Sequence, residues 1–136
     1  MTDNRYAMRR TLDMDFEEAD RRTRAALEDE GFGVLTEIDV QATLKKKLDV
    51  DFRRYEILGA CNPSLAHQAL QADADIGLLL PCNVVVQESG DGETIVEALD
   101  PVIQLSVAES AGLEELAGEV RSRLARVLDR VEEAAR

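Results

Sequence analysis

The sequence predicts an α+β protein of two layers, a mostly antiparallel sheet of about five strands with helices packed on one face. Three observations predict it. Apolar residues recur at helical spacing in two stretches, Phe16 to Leu27 and Leu113 to Val131. Between them lie short apolar or alternating runs of strand length, two of which flank Ser89-Gly90-Asp91-Gly92, a hairpin signal. The elements read strand, helix, strand, short helix, strand, short helix, hairpin, long helix, an order that suits one sheet covered on one side. A chain of 136 residues is read as a single domain, 1–136, large enough to bury a core without disulfide or metal staples.

Tyr6 to Thr11 is a mixed stretch that reads as a first strand. Asp15 is a helix cap, with Glu18 three residues on as in a capping box, and Phe16, Ala19, Thr23, Ala26 and Leu27 form the buried stripe. Gly31 ends that helix. Val34, Thr36 and Ile38 then alternate with Leu35, Glu37 and Asp39, the period of a half-buried strand. Asp39 caps a short helix carrying Leu44, Leu48 and Lys45-Lys46-Lys47, the only lysines. Cations at a helix end complement its dipole, and that reading outweighs an anion site.

Phe52 to Cys61 is the next strand, with Tyr55, Ile57, Gly59 and Cys61 on one face. Asn62-Pro63 opens a helix with Asn as cap and Pro in the first position, and Leu65, Ala66, Ala69 and Leu70 make its stripe. Ile76 to Leu80 is apolar, contains Gly77, stops at Pro81 and reads as a buried connection. Cys82 to Glu88 and Glu93 to Leu99 are the hairpin strands. The final helix spans about 111–134, with Leu113, Leu116, Val120, Leu124, Val127, Leu128 and Val131 as its stripe. A stripe that long must be covered by the chain's own sheet or by a second subunit.

With 28 acidic and 16 basic residues the net charge is −12, which disfavours sequence-independent binding to nucleic acid or to anionic membranes. No run approaches the roughly 20 apolar residues that span a bilayer. Met1-Thr2-Asp3-Asn4-Arg5 has no apolar segment behind it and does not read as a signal peptide. The expected location is the cytoplasm, with both cysteines reduced and unbridged.

The candidate site is a Cys-Asn pair that occurs twice, at Cys61-Asn62 before Pro63 and at Cys82-Asn83 after Pro81. If Ser89 and Gly92 flank the turn, counting back sets Cys82 opposite Leu99, with Asp100 just beyond. An antiparallel neighbour ending at Cys61 then gathers Cys61, Asn62, Cys82, Asn83 and Asp100 at one end of the sheet. A helix N-terminus at Pro63 lowers the pKa of a nearby thiol, which makes Cys61 the better thiolate candidate, while an adjacent Asp100 acts in the opposite sense. Three readings stand side by side: both cysteines packed as small hydrophobes with the asparagines satisfying backbone groups, a small-molecule pocket, and a redox or metal centre on Cys61 and Cys82. His67, the only histidine, is a third metal ligand in the last reading and otherwise a solvent-facing helix residue. No Gly-rich phosphate loop, nucleophile elbow or histidine pair at metal spacing is present, and no cofactor is expected.

These residues carry a resemblance. Ile57-Leu58-Gly59-Ala60-Cys61-Asn62-Pro63, then Ala66 and Ala69-Leu70, then Gly77-Leu78-Leu79-Leu80-Pro81-Cys82-Asn83-Val84-Val85-Val86, resemble the hallmark of the Domain of Unknown Function 302 family. Gly31-Phe32-Gly33-Val34, Ile38 and Thr43-Leu44 add to it, and the likeness covers about 16–105. It implies a small α+β protein with a layout like the TATA-binding-protein fold, pairing as a homodimer. It implies no activity, substrate or cofactor. The function expected on this basis is a homodimeric module that binds a small ligand or a partner at the Cys-Asn end of the sheet. The alternative is a thiol-dependent redox or metal-binding protein.

Overall fold

The computed structural model describes residues 6–135. Met1–Arg5, read above as no targeting segment, lies outside the described residues. Five strands form one antiparallel sheet in the order β1-β5-β4-β3-β2. They are β1 (Ala7–Leu12), β2 (Gly33–Asp39), β3 (Tyr55–Cys61), β4 (Cys82–Glu88) and β5 (Thr94–Leu99). The helices are α1 (Phe16–Asp29), α2 (Val40–Leu48), α3 (Pro63–Ala72), α4 (Pro101–Ser106) and α5 (Leu113–Ala134), with a 3-10 segment over Ala74–Leu79.

Side chains alternate across the pleat, and one set is buried throughout: Met8 and Leu12, Val96 and Ala98, Val84 and Val86, Leu58 and Ala60. The helices lie on this side. Asp15 caps α1 as its sequence predicts, Oδ1 accepting from Glu18 N–H at 2.9 Å, and Phe16, Ala19, Thr23, Ala26 and Leu27 face the core. The long stripe of α5 is also consumed within the chain. Leu113, Leu116, Val120, Leu124, Val127, Leu128 and Val131 are all buried, and α5 packs on α1, α4 and β1. Burying each such Leu or Val contributes roughly 1.5–3 kcal/mol, so α5 is a main source of stability.

Among the described residues, the other face of the sheet carries no helix layer of this kind. It holds a polar chain across three strands: Arg9 Nε donates to Glu97 at 2.7 Å, Gln87 Nε2 to Glu97 at 3.0 Å, and Arg53 Nε to Gln87 at 3.0 Å. On β3 the set Tyr55, Ile57 and Gly59 belongs to this outer face, while Leu58 and Ala60 enter the core.

Four features depart from the sequence reading, the first being that the connection over 76–80 is buried only at Ile76, with Leu78 89% exposed. β2 is not half-buried: it is the sheet edge, with a bulge between Val34 and Thr36, and Leu35 and Ile38 are 66% and 48% exposed. The hairpin is one residue wider than its turn signal suggests. Ser89 N–H donates to Glu93 O, so Gly90, Asp91 and Gly92 form the tip, with Asp91 and Gly92 at φ 71° and 74°. Val84 therefore pairs with Ala98, and continuing that register sets Asn83, not Cys82, against Leu99. Finally, Pro101–Ser106 is a helix. Asp100 Oδ1 accepts from Val102 N–H at 2.9 Å, with Pro101 in the first turn. This is the same device as Asn62-Pro63. The lysine run ends α2 as the dipole argument has it, and Lys45 pairs with Asp49 at 2.9 Å.

Candidate functional site

Antiparallel pairing of β3 and β4 brings the end of one beside the start of the other, with Ala60 opposite Cys82 and Cys61 one residue beyond. Asn62 then leaves the sheet with extended backbone (φ −97°, ψ 108°), and its Oδ1 accepts from Leu65 N–H at 3.2 Å to start α3. The same end of β5 runs into α4 through the Asp100 cap. Two helices thus open at one end of the sheet. Gln104 on α4 ties them to the intervening segment by donating from Nε2 to the carbonyl oxygens of Leu79 and Pro81.

These openings leave a cavity of about 330 Å³. The sheet end contributes Ala60, Cys61, Pro81 and Cys82; α3 contributes Leu65, Ala66, Ala69 and Leu70; α4 and α5 contribute Pro101, Leu105, Leu116 and Val120. Phe32, Leu35 and Thr36 complete it on the β2 side, with Asn62 beside them. Among the described residues no charged side chain lines it, and its wall is almost wholly hydrocarbon and sulfur.

Of the five predicted residues, Cys61, Asn62 and Cys82 line this cavity and two do not. Asn83 projects from the opposite face of the sheet, where it is exposed beside Tyr55, Val85 and Glu97. The pleat dictates this, because adjacent residues of a strand point to opposite sides. Asp100 stands at the right end, but its carboxylate caps α4 and pairs with Arg121 Nε at 3.0 Å, leaving Pro101 to face the cavity. His67 is exposed on α3 and does not line the cavity.

The thiols are free, and their electrostatics run against the thiolate expectation. Burial pushes the Cys61 thiol above its ordinary range in spite of the helix that follows. Burial and the neighbouring Cys61 push Cys82 up to about 11. Asn62 already caps the helix start, so the thiol at position 61 faces desolvation with little compensation. Among the described residues no group of three or more side chains could hold a metal ion.

The sequence reading did not anticipate the cavity wall: Leu80, Leu105, Leu116 and Val120 look like ordinary core positions. The repeated cap-proline pair at Asn62-Pro63 and Asp100-Pro101 is the signal that would have placed α4 there. Gly59 is a close-approach site near the same wall. A methyl group on it would collide with the Thr36 hydroxyl and come within 2.9 Å of Pro81 Cγ.

A five-stranded antiparallel sheet under helices, with an apolar cavity where two helices open from its end, defines the class. Residues 8–131 match the family described as domain of unknown function DUF302, and the chain belongs to that family. The match runs through most of α5. The crystal structure of an uncharacterized conserved DUF302 protein from Bacillus stearothermophilus is similar, with a TM-score of 0.86 and 30% identity, covering 94% of this chain and 99% of that one. Comparison with curated proteins gives no match.

Proposed function

We propose that this protein is a binding module for a small apolar molecule, seated in the cavity between the Cys-Asn end of the sheet and helices α3, α4 and α5. The observation that carries this reading is the cavity's size and lining. Its volume of about 330 Å³ falls within the range of small-molecule sites, and such sites are mostly apolar with a few placed polar groups. Neutral, half-buried thiols fit that wall better than a reactive centre does.

In the same reading the protein works as a cytoplasmic homodimer. Free thiols suit a reducing compartment. No helix among the described residues is long and apolar enough to cross a membrane. The stripe of α5 is used internally, so the apolar surface left for a second copy is elsewhere: Leu35, Ile38, Leu48 and Val50, on β2 and around α2, are 66%, 48%, 66% and 43% exposed. Helix α2 buries none of its residues within the chain. Light scattering tests the assembly, and a mass near the 15.0 kDa of one chain rejects the dimer.

Ligand binding is tested with N-phenyl-1-naphthylamine, a neutral dye whose emission rises in apolar sites. The wild type is expected to bind it at one site per chain. Ala66→Phe, which fills the cavity from α3, is expected to abolish binding with the circular dichroism spectrum unchanged. No binding by the wild type, or equal binding by the folded variant, rejects the reading.

A further inference from the structure

The cavity's polar equipment is unequal in kind. Asn62 lines it and is only 8% exposed. Its Oδ1 is occupied by Leu65 N–H, while among the described residues no group accepts a hydrogen bond from Nδ2. Asn62 Nδ2 keeps some access to solvent, which leaves its N–H groups free to donate to a guest. The other polar groups of the wall are the two thiols, weak donors when protonated, and the Thr36 hydroxyl at its β2 edge, and among the described residues no charged side chain lines the cavity. The N-terminus of α3, ten residues long, adds a partial positive charge at the same place. Most of these features favour an acceptor oxygen, and none offers a full counter-charge.

We infer that the ligand is an uncharged molecule with an apolar body and one strong acceptor, a ketone- or ester-type carbonyl, whose oxygen accepts from Asn62 Nδ2. The inference rests on the cavity reading proposed above and specifies its ligand class. A hydrocarbon body meets the α3, α4 and α5 side chains, and the carbonyl lies toward Asn62 and the start of α3. Gly31 is the structural support. A methyl group there would stand 2.8 Å from Asn62 Nδ2, so the glycine leaves room for the amide in this pose.

The test uses 1-indanone and indane, probes of matched shape that differ by the carbonyl, titrated into the ¹⁵N-labelled full chain and followed by NMR. The wild type is expected to bind 1-indanone about fivefold or more tightly than indane, the worth of one ordinary hydrogen bond. The Asn62 side-chain amide resonances are expected to move with 1-indanone only. Asn62→Asp keeps an oxygen to cap Leu65 N–H but removes the donor, and is expected to erase the preference. Asn62→Ser, which also caps, serves if the aspartate variant does not fold, with the same expectation. Equal affinity of the wild type for the two probes overturns this inference and leaves the cavity reading standing. Binding of neither overturns both. A preference that survives in the folded variants, or tighter binding of indane-1-carboxylate than of 1-indanone, also overturns it.

Discussion

Asn62 lies over Gly31, and the contact leaves no space for a side chain on the glycine: a Cβ there would meet Nδ2 at 2.8 Å. Gly31 also has φ 86°, the left-handed region, where it turns the chain out of α1. One residue thus ends a helix on one side of the molecule and seats the cap of another. Gly31→Ala is expected to destabilise the fold by about 1–3 kcal/mol, from backbone strain and displacement of the amide together. Urea denaturation measures this, and an unchanged midpoint contradicts it.

Leu124 is 1% exposed at the centre of α5. Leu124→Asp puts an unpaired carboxylate into the core and is expected to cost on the order of 3–5 kcal/mol. Because the position is internal to one chain, the expected product is an unfolded or molten protein. A folded monomer by circular dichroism and light scattering would instead place α5 at a subunit contact.

Glu56 faces Asp20, with Arg24 Nη2 at 3.6 Å and Glu37 nearby. Burial, then the hydrogen bond to Asp20, raises its pKa from 4.5 to about 8. The sign follows from linkage: a raised carboxyl favours the neutral acid in the fold, so its contribution is complete below about pH 4.5 and disappears as pH rises through about 8. Glu56→Gln is expected to melt higher than wild type at pH 8.5, by on the order of 3 °C, with the gap closing toward pH 5. Melting curves at the two pH values decide it, and a gap that is constant with pH removes Glu56 as its source.

Both thiols are expected to resist alkylation at neutral pH and to react faster as pH rises. Cys82 should be the slower of the two, since it is raised to about 11 while Cys61 is raised less. Peptide mapping after timed iodoacetamide treatment at pH 7, 8 and 9 reads the rates. A fast phase at pH 7 on Cys61 returns the thiolate reading to the table.

The sequence exposed the helices and strands well where a local rule acts alone. The Asp15 cap, the Asn62-Pro63 opening and the α5 stripe each depend on residues within a few positions of one another. It was less informative where a count must be exact. A hairpin tip of three residues bounded by a Ser89–Glu93 pair, in place of a two-residue tip between Ser89 and Gly92, shifts the β4–β5 register by one residue. The candidate site shows the same limit. Gathering Cys61, Asn62 and Cys82 required only that β3 and β4 be antiparallel. Deciding that Asn83 points away required the pleat phase, and finding Leu116 and Val120 across the cavity required knowing where α5 crosses. Edge position is likewise invisible locally, which is why the alternation of β2 suggested a buried face it does not have.

The caps at Asn62 and Asp100 have a consequence for how tightly a guest can be held. Each closes its helix with a hydrogen bond inside the chain, at 3.2 Å and 2.9 Å, and each is followed by a proline with restricted backbone freedom. The two walls are therefore set before any guest arrives. If the cavity takes the ligand proposed above, little of the interaction energy is diverted to ordering backbone, and the receptive state is the dominant one at rest. In the binding reading proposed above, small changes in guest shape then register directly in Kd instead of being absorbed by rearrangement.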